Sequence, residues 1–275
     1  MARNWYDSVV PEDAAPSPRE IDVSVAHPAR VYDYWLGGKD NFAADRAAAE
    51  RVLEAKPQIR DNVRANRRFL AKAVRYLTAE AGIQQFLDIG TGIPTANNTH
   101  EVAQAVRPET RVVYVDNDPI VLTHARALLT SVAGPTTFID ADLREVKTIL
   151  SRAGETLNFS QPVAVMLIAV LHLIPDEDDP WGVVASFMDA VPPGSYLVLS
   201  HPARDVETER SARAAQRYNE QVATPMHRRT RAEVARFFDG LDLIEPGLVQ
   251  MHQWRPAATD PVTPSSGYAV VGRKP

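Results

Sequence analysis

The stretch from Phe86 to Thr95, FLDIGTGIPT, decides how the rest of the chain is read. A short apolar run ends in an acid, and Gly90 and Gly92 follow one residue apart. Glycine lets a backbone turn tightly and lets a ligand approach with no Cβ in the way. A glycine pair is weak evidence by itself, because any strand-to-helix turn can use one. Its surroundings strengthen it. Downstream of Gly82, β-branched and apolar runs at Phe86–Ile89, Arg111–Val115, Thr136–Ile139, Val163–Ala169 and Ser195–Ser200 alternate with helical patterns near 99–106, 119–132, 143–153, 180–190 and 206–238. Such alternation predicts an open α/β sheet, mostly parallel, with helices on both faces. The last runs, Leu241–Ile244, Gly247–Trp254 and Tyr268–Gly272, have no helix between them, which predicts an antiparallel hairpin with a long connection.

Upstream, residues 1–20 hold Pro11, Pro16 and Pro18 among acids and small residues and read as a mobile tail. Residues 27–40, HPARVYDYWLGGKD, interleave aromatics with charges. Helical patterns follow, from about Phe42 to Ala55 with Asp40 or Asn41 as N-cap, and from about Ile59 to Ala81 with Gly82 as a stop. The expected organisation is a tail over 1–20, a helical cap over 21–82, and a core over 83–275.

Composition narrows the chemistry. The 275 residues are 45% hydrophobic and 24% charged, as in ordinary globular proteins, and there are no cysteines. Disulfides, thiolate metal sites and cysteine nucleophiles are therefore excluded. A net charge of −5 gives no overall attraction to nucleic acid or to an anionic membrane. Residues 201–240 carry eight basic and six acidic groups, too balanced to argue for nucleic acid. The N-terminus has no apolar signal-like run, and the Val163–Ile174 stretch is too short for a bilayer, which needs about 20 apolar residues. A cytoplasmic protein is the expectation. His100-Glu101 lacks the second histidine of a zincin, Gly37-Gly38-Lys39 lacks the flanks of a P-loop, and no G-x-S-x-G elbow exists. The acidic run Asp176–Asp179 reads as a solvated loop, so no metal site is expected.

In sheets of this kind ligands sit beyond the carboxyl ends of the strands. That selects Asp88, Gly90 and Gly92, then Asp116 and Asn117, then Asp142, then His172 and His201. Asp116 lies 24 residues after Gly92, near the roughly 20-residue spacing of a ribose-binding acid. The glycine-loop spacing favours that role over the alternative, a helix N-cap ahead of Pro119. Thr95 stands where a dinucleotide fingerprint has its third glycine, and the next helix starts late, near Asn98, with Glu101 as a capping-box partner. A cofactor with a ribose and no pyrophosphate suits such a loop better than NAD. His172 and His201 are candidate proton acceptors, each with a hydrogen-bonded structural histidine as the alternative. The polar run Arg60, Asn62, Arg64, Asn66, Arg67 and Arg68 reads as a solvated helix face.

FLDIGTG, followed by VVYVDNDP and a DADL turn, resembles the class I S-adenosylmethionine-dependent methyltransferases. The closing GLDLIEPGLVQMHQW and SSGYAVVGRK are similar to their last antiparallel strand pair. HPARVYDYWLGGKDNFAADR together with QFLDIGTGIPTANNTHEVAQ resembles, more narrowly, an actinobacterial family of such enzymes whose acceptor is unassigned. The resemblance spans about residues 20–275. It implies a Rossmann-like class I methyltransferase fold with a seven-stranded sheet. It implies S-adenosylmethionine as cofactor, S-adenosylhomocysteine as product and a small-molecule methyl acceptor. Gly90 and Gly92 would line the methionine moiety, with Asp88 anchoring the loop. Asp116 would bind the ribose, Asn117 would lie beside the adenine, Asp142 would face its amino group, and Leu143 would pack near the ring. The polar-aromatic density of residues 27–41 reads either as a lid over the cofactor, holding Tyr32 and with Arg30 or Lys39 near its carboxylate, or as a helix that merely packs on the sheet edge. Where many relatives that methylate amides or exocyclic amines carry Asp/Asn-Pro-Pro-Tyr/Phe, this chain reads AVLHLIPDEDD, which argues against nucleobase or glutamine N-methylation. A cofactor sensor without turnover and, more distantly, an NAD-dependent oxidoreductase are the alternatives.

Overall fold

A computed structural model describes residues 22–128, 134–206, 209–219, 222 and 224–275. The expected tail over 1–20 and the end of the 119–132 helix lie outside these residues. Five parallel strands form the body of the sheet: β1 (Gln85–Ile89), β2 (Arg111–Asp116), β3 (Thr136–Asp140), β4 (Ala164–Ile168) and β5 (Tyr196–Pro202). The chain closes with β6 (Asp242–Leu243), β7 (Val249–Gln250) and β8 (Gly267–Arg273). The order is β3-β2-β1-β4-β5-β8-β6, with β7 also paired to β8.

The mostly parallel sheet with an antiparallel C-terminal pair is as expected, with one short strand more than seven. β8 inserts antiparallel between β5 and β6, and the segment before it supplies two short strands instead of one. β6 pairs with the Gly272–Arg273 end of β8 and β7 with the Tyr268–Ala269 end. Pro246 and Gly247 fall between the two pieces, and proline cannot donate to a ladder.

The apolar runs form strands because both sheet faces are covered. Alternate residues face opposite sides. Leu87, Val113, Val165 and Leu197 join one core with α6 (Val146–Ala153) and α7 (Pro180–Asp189). Phe86, Val112, Met166 and Val198 join another. There they meet α3 (Ile59–Ala79), whose Phe69, Leu70, Ala73, Val74 and Leu77 form one helical stripe. Trp254 is fully buried beneath α3, edge-on to Phe69 with ring centroids 5.2 Å apart.

The N-terminal segment forms α1 (Pro28–Leu36) and α2 (Ala43–Ala55). Pro28 suits a first helical turn, and Gly37 ends α1 at φ 89°. Neither Asp40 nor Asn41 caps α2. The cap is Phe42, whose N–H donates to Asp45 Oδ2 at 2.8 Å, while Asn41 turns its amide to Asp33 Oδ2 at 2.8 Å. α1 and α2 build a small core of Val31, Trp35, Ala48 and Ala49 with Tyr218 of α8 (Glu209–Asn219). The remaining helices are α4 (Thr99–Gln104), α5 (Pro119–Leu128) and α9 (Arg231–Ala235). No helix among the described residues is long and apolar enough to cross a membrane.

Candidate active site

Beyond the carboxyl ends of β1 to β4 lies a cavity of about 240 Å³, roofed by α1 and walled on one side by α3. The glycine loop forms its floor. Gly90 sits at φ 72° and its N–H donates to Val115 O at 2.7 Å. A Cβ there would come within 2.2 Å of Val170 Cγ2, so glycine is required by strain and by space. Gly92, at φ 67°, faces open space.

Asp116, at the end of β2, is buried and ties this loop to the next. Its Oδ2 accepts from Gly92 N–H at 2.8 Å and its Oδ1 from Asp118 N–H at 3.0 Å. Burial pushes its carboxyl upward, and those two amides oppose the shift. Each oxygen keeps lone pairs for a ligand hydroxyl. The Gly92 amide, already engaged, is not offered to a phosphate. The helix that would bring further amides starts only at Thr99, capped by Asn98, whose N–H donates to Glu101 Oε2 at 2.9 Å. Both facts disfavour a pyrophosphate in this loop.

Asp88 lies at the base of the loop, also buried. It accepts from Thr99 Oγ1 at 2.6 Å, and burial raises its carboxyl to about 6. Asn117, Asp142 and Leu143 line the opposite end of the cavity. Arg144 grips both oxygens of Asp142, at 2.8 Å through Nε and 2.8 Å through NH2, and reaches Asp178 at 2.7 Å. That fork holds the Asp142 carboxyl below the ordinary carboxylate range.

The N-terminal residues divide. Tyr32 lines the cavity; its hydroxyl donates to Val63 O at 3.2 Å and accepts from Asn66 Nδ2 at 2.9 Å. Arg30 does not line it. Arg30 is buried against Asp45 at 3.3 Å and donates to the carbonyls of Asp22 and Val25 at 3.0 and 2.7 Å. Lys39 is exposed beyond the end of α1 and is likewise no part of the wall. Asp45 also accepts from His27 N–H at 2.9 Å, and Asp33 accepts from Asp40 N–H at 3.0 Å. These charges fasten the segment to itself.

Two guanidiniums line the cavity: Arg144, forked onto Asp142 and Asp178, and Arg67 of α3, whose NH2 donates to the carbonyls of Ala96 and Asn97, both at 3.1 Å. The supposed solvated face of α3 is therefore partly internal. Asn62 and Asn66 are buried, and Asn66 Oδ1 accepts from Ser200 Oγ at 2.6 Å. His27 is also in the wall, with Nδ1 2.7 Å from Asp118 Oδ2. Sequence reasoning missed Arg67 because its helical spacing matches a solvated face. The available signal was the interleaving of asparagines with arginines, since buried asparagine implies satisfied partners.

A second cavity of about 120 Å³ adjoins the first, and Tyr32, Asn66, Ala169 and His172 line both. Ala169, just past β4, holds φ 53° and donates its N–H to Ser200 Oγ at 3.0 Å. A left-handed alanine costs roughly 1–2 kcal/mol, so the junction is held under strain by its surroundings.

The two histidines differ. His201 is buried, with Nδ1 2.9 Å from Pro202 O and Nε2 3.0 Å from the Arg229 guanidinium. Its Nδ1 donates and its Nε2 accepts, so neither nitrogen has capacity to take a substrate proton. The proton-acceptor role is corrected to a structural one. His172 is different: Nδ1 is buried with no hydrogen-bond partner among the described residues, and the residue lines both cavities. Burial, then the charges of Arg229 and His227, lower His172 to about 3. It is uncharged throughout the neutral range.

The wall also keeps polar groups available to a ligand. Asp116 has accepting capacity left, and Thr95 Oγ1 is buried with no partner among the described residues. The family model described as S-adenosyl methyltransferase matches residues 14–275. The chain belongs to that family. It is therefore an S-adenosylmethionine-dependent methyltransferase. Among solved structures it is similar to a DUF574 family protein from Streptomyces avermitilis, at 44% identity and TM-score 0.89, covering 93% of this chain and 100% of that one. A Thermobifida fusca protein named provisionally as a methyltransferase is 40% identical with TM-score 0.85, covering 95% and 99%. Both relatives are actinobacterial. TnmH, at 18% identity and TM-score 0.51 over 81% of this chain and 60% of its own, shares the fold. No curated protein matches the chain.

Proposed function

We propose that this methyltransferase acts on a small molecule held in the second cavity. One observation carries the proposal: the two cavities meet along Tyr32, Asn66, Ala169 and His172, so a group in one faces a group in the other across a shared wall.

On this reading the first cavity holds the cofactor. Asp116 accepts from the ribose hydroxyls, Gly90 and Gly92 border the methionine portion, and Asp88 fixes the loop through Thr99. Asn117, Asp142 and Leu143 surround the adenine. Arg67, not Arg30 or Lys39, faces the carboxylate. The cap helices supply a dry roof through Tyr32 and Trp35. S-adenosylmethionine, when bound, supplies a methyl group activated by a positively charged sulfur.

The protein's own part is alignment, exclusion of water and handling of one proton. A neutral imidazole at His172 accepts a hydrogen bond from an acceptor hydroxyl and turns an oxygen lone pair toward the methyl carbon. With its conjugate acid near pH 3, it does not ionise a resting hydroxyl. It takes the proton once the new carbon–oxygen bond has begun to form, because the alkylating oxygen becomes strongly acidic. Methyl transfer would leave the carbon–sulfur electron pair on the departing S-adenosylhomocysteine, and His172 would pass the proton it holds to solvent.

The test uses S-adenosylmethionine labelled in its methyl group, supplied with separated small-molecule, protein and RNA fractions of an actinobacterial extract. Label in the small-molecule fraction is the expected result. Label confined to protein or RNA overturns the proposal.

A further inference from the structure

His172 reaches the junction of the cavities from a poor foothold. It sits on a single 3₁₀ turn, Leu171–Leu173, just after the left-handed Ala169. The hydrogen-bond geometry of such a turn is poor, so its own bonds do little to fix a side chain. The turn is instead gripped from outside. His172 O accepts from His227 N–H at 2.6 Å. Arg229 donates through NH1 to Leu171 O and through NH2 to Ile174 O, both at 2.9 Å, and NH2 also reaches Asp176 Oδ1 at 2.7 Å. The carbonyls of residues 171, 172 and 174 are therefore all held by residues 227–229.

Arg229 is itself firmly seated. It is 2% exposed, and its own carbonyl accepts from Arg204 N–H at 2.9 Å, just beyond β5. Its guanidinium lies over the rings of Trp181 and Phe237, 5.1 and 5.7 Å from their centroids. NH1 also donates to His201 Nε2 at 3.0 Å. The structural role of His201 follows: with Nδ1 turned to Pro202 O, it presents one lone pair that orients the guanidinium.

A buried cation is costly, and a well-packed apolar residue often serves a core better. The carboxylate of Asp176 offsets little of that cost, because its side chain is 59% exposed and screened by water. What a guanidinium offers in return is a rigid planar fork whose two ends reach separate carbonyls at once. No apolar side chain and no single ammonium can do the same.

On the reading that His172 faces the acceptor, we propose that Arg229 is a positioning residue for methyl transfer: its fork sets the turn that aims His172 into the junction, and it acts through that histidine alone. Burial comes first in keeping His172 uncharged, and the Arg229 charge adds to it. A packing role without positioning would lower stability and leave the two residues independent in the reaction.

The experiment uses the full chain and Arg229→Lys, which keeps a positive charge and loses the fork. With S-adenosylhomocysteine bound, hydrogen–deuterium exchange is followed by peptide. Residues 170–176 should exchange faster in the variant, while β1 and β2 stay unchanged. Methyl transfer is then timed with labelled S-adenosylmethionine and whichever extract fraction takes up label. Arg229→Lys should slow it by about tenfold or more, within the roughly hundredfold that a misplacement of about 1 Å can cost. The same substitution added to His172→Gln should slow transfer no further, and S-adenosylhomocysteine affinity should match the parent in both. Exchange unchanged at residues 170–176, an undiminished rate, or slowing that multiplies with that of His172→Gln would overturn the proposal. Should Arg229→Lys not fold, Asp176→Ala removes one arm of the grip from the exposed side. A smaller loss of rate that vanishes in the His172→Gln background is then expected, and an undiminished rate overturns the proposal. If instead His172→Gln transfers methyl at the parent rate, if no fraction takes up label, or if the folded chain binds no S-adenosylhomocysteine, the assignment of the site beneath it fails.

Discussion

The glycine-loop side of the site and the N-terminal cap are both dense in polar residues, yet they use them oppositely. At the ends of β1, β2 and β3, the acids Asp88, Asp116 and Asp142 all line the cofactor cavity. In the cap, Arg30, Asp45 and Asn41 are spent on holding the segment together and stay outside the cavity wall, whereas His27, Tyr32, Asp33 and Trp35 reach it. A strand end delivers its next residue to the ligand edge by topology alone. A cap delivers only those residues its internal network does not consume.

The contrast is broken most sharply at Asp45. This fully buried carboxylate takes His27 N–H, Phe42 N–H and the Arg30 guanidinium. Asp45→Ala leaves Arg30 buried and uncompensated, which costs about 3–5 kcal/mol. The expected outcome in a denaturant titration is a large loss of stability. A variant as stable as the wild type would mean that the cap is not held by its charges.

The counterpart on the strand side is Asp116→Ala. It should weaken S-adenosylhomocysteine binding by about 1.5–3 kcal/mol, the usual worth of hydrogen bonds to a charged group. Arg67→Met, removing the one guanidinium in the wall not forked onto a carboxylate, should fall in the same range. Calorimetry on both variants reads these effects. Unchanged affinity in either removes that residue from the cofactor site.

The difference between the regions also explains what the sequence made legible. The strand ends were readable because period-two burial and short glycine turns leave little freedom: all five parallel strands lie within two residues of their expected bounds. The split of the last edge into β6 and β7 was not, since two-residue strands carry no periodic signal. Asp88, Gly90, Gly92, Asp116, Asn117 and Asp142 follow from position at a strand end, Leu143 from the family resemblance, and all line the first cavity. Arg67 was hidden because an arginine on a helix looks the same whether it faces water or a cavity. His172 and His201 were indistinguishable in sequence, each following an apolar strand. Only the approach of Arg229 to His201 separates them.

That separation can be sharpened by pH. For His172 the folded value is lowered from the ordinary 6.5 to about 3. The imidazole is then neutral and competent above about pH 4 and loses competence only as pH falls through 3. The rate of methyl transfer should accordingly show no acid limb near pH 6.5 attributable to His172. His172→Gln, which keeps a hydrogen-bond acceptor but no proton acceptor of comparable basicity, should reduce kcat by about a hundredfold, the low edge of general-base effects. S-adenosylhomocysteine affinity should be nearly unchanged. An acid limb near 6.5 that vanishes in His172→Gln would contradict the lowered value.

The smallest expected effect is the most discriminating between the two regions. Lys39 follows the Gly37-Gly38 turn within the segment that most resembles the family, and it is the cation that sequence proximity nominates for the cofactor carboxylate. In the structure it is exposed and outside both cavities. Lys39→Met should change stability and S-adenosylhomocysteine affinity by no more than about 0.5 kcal/mol, as for ordinary surface substitutions. Set beside Arg67→Met, it separates two geometries that a single variant cannot. If Lys39 closes over the cofactor only when it binds, Lys39→Met weakens binding and Arg67→Met leaves it intact. If α3 supplies the charge from a rigid helix already packed on the sheet, the order reverses. The burial of α3 through Phe69, Leu70, Val74 and Leu77 favours the second outcome, because a guanidinium on a fixed helix gives up less freedom on binding than a lysine at an exposed turn.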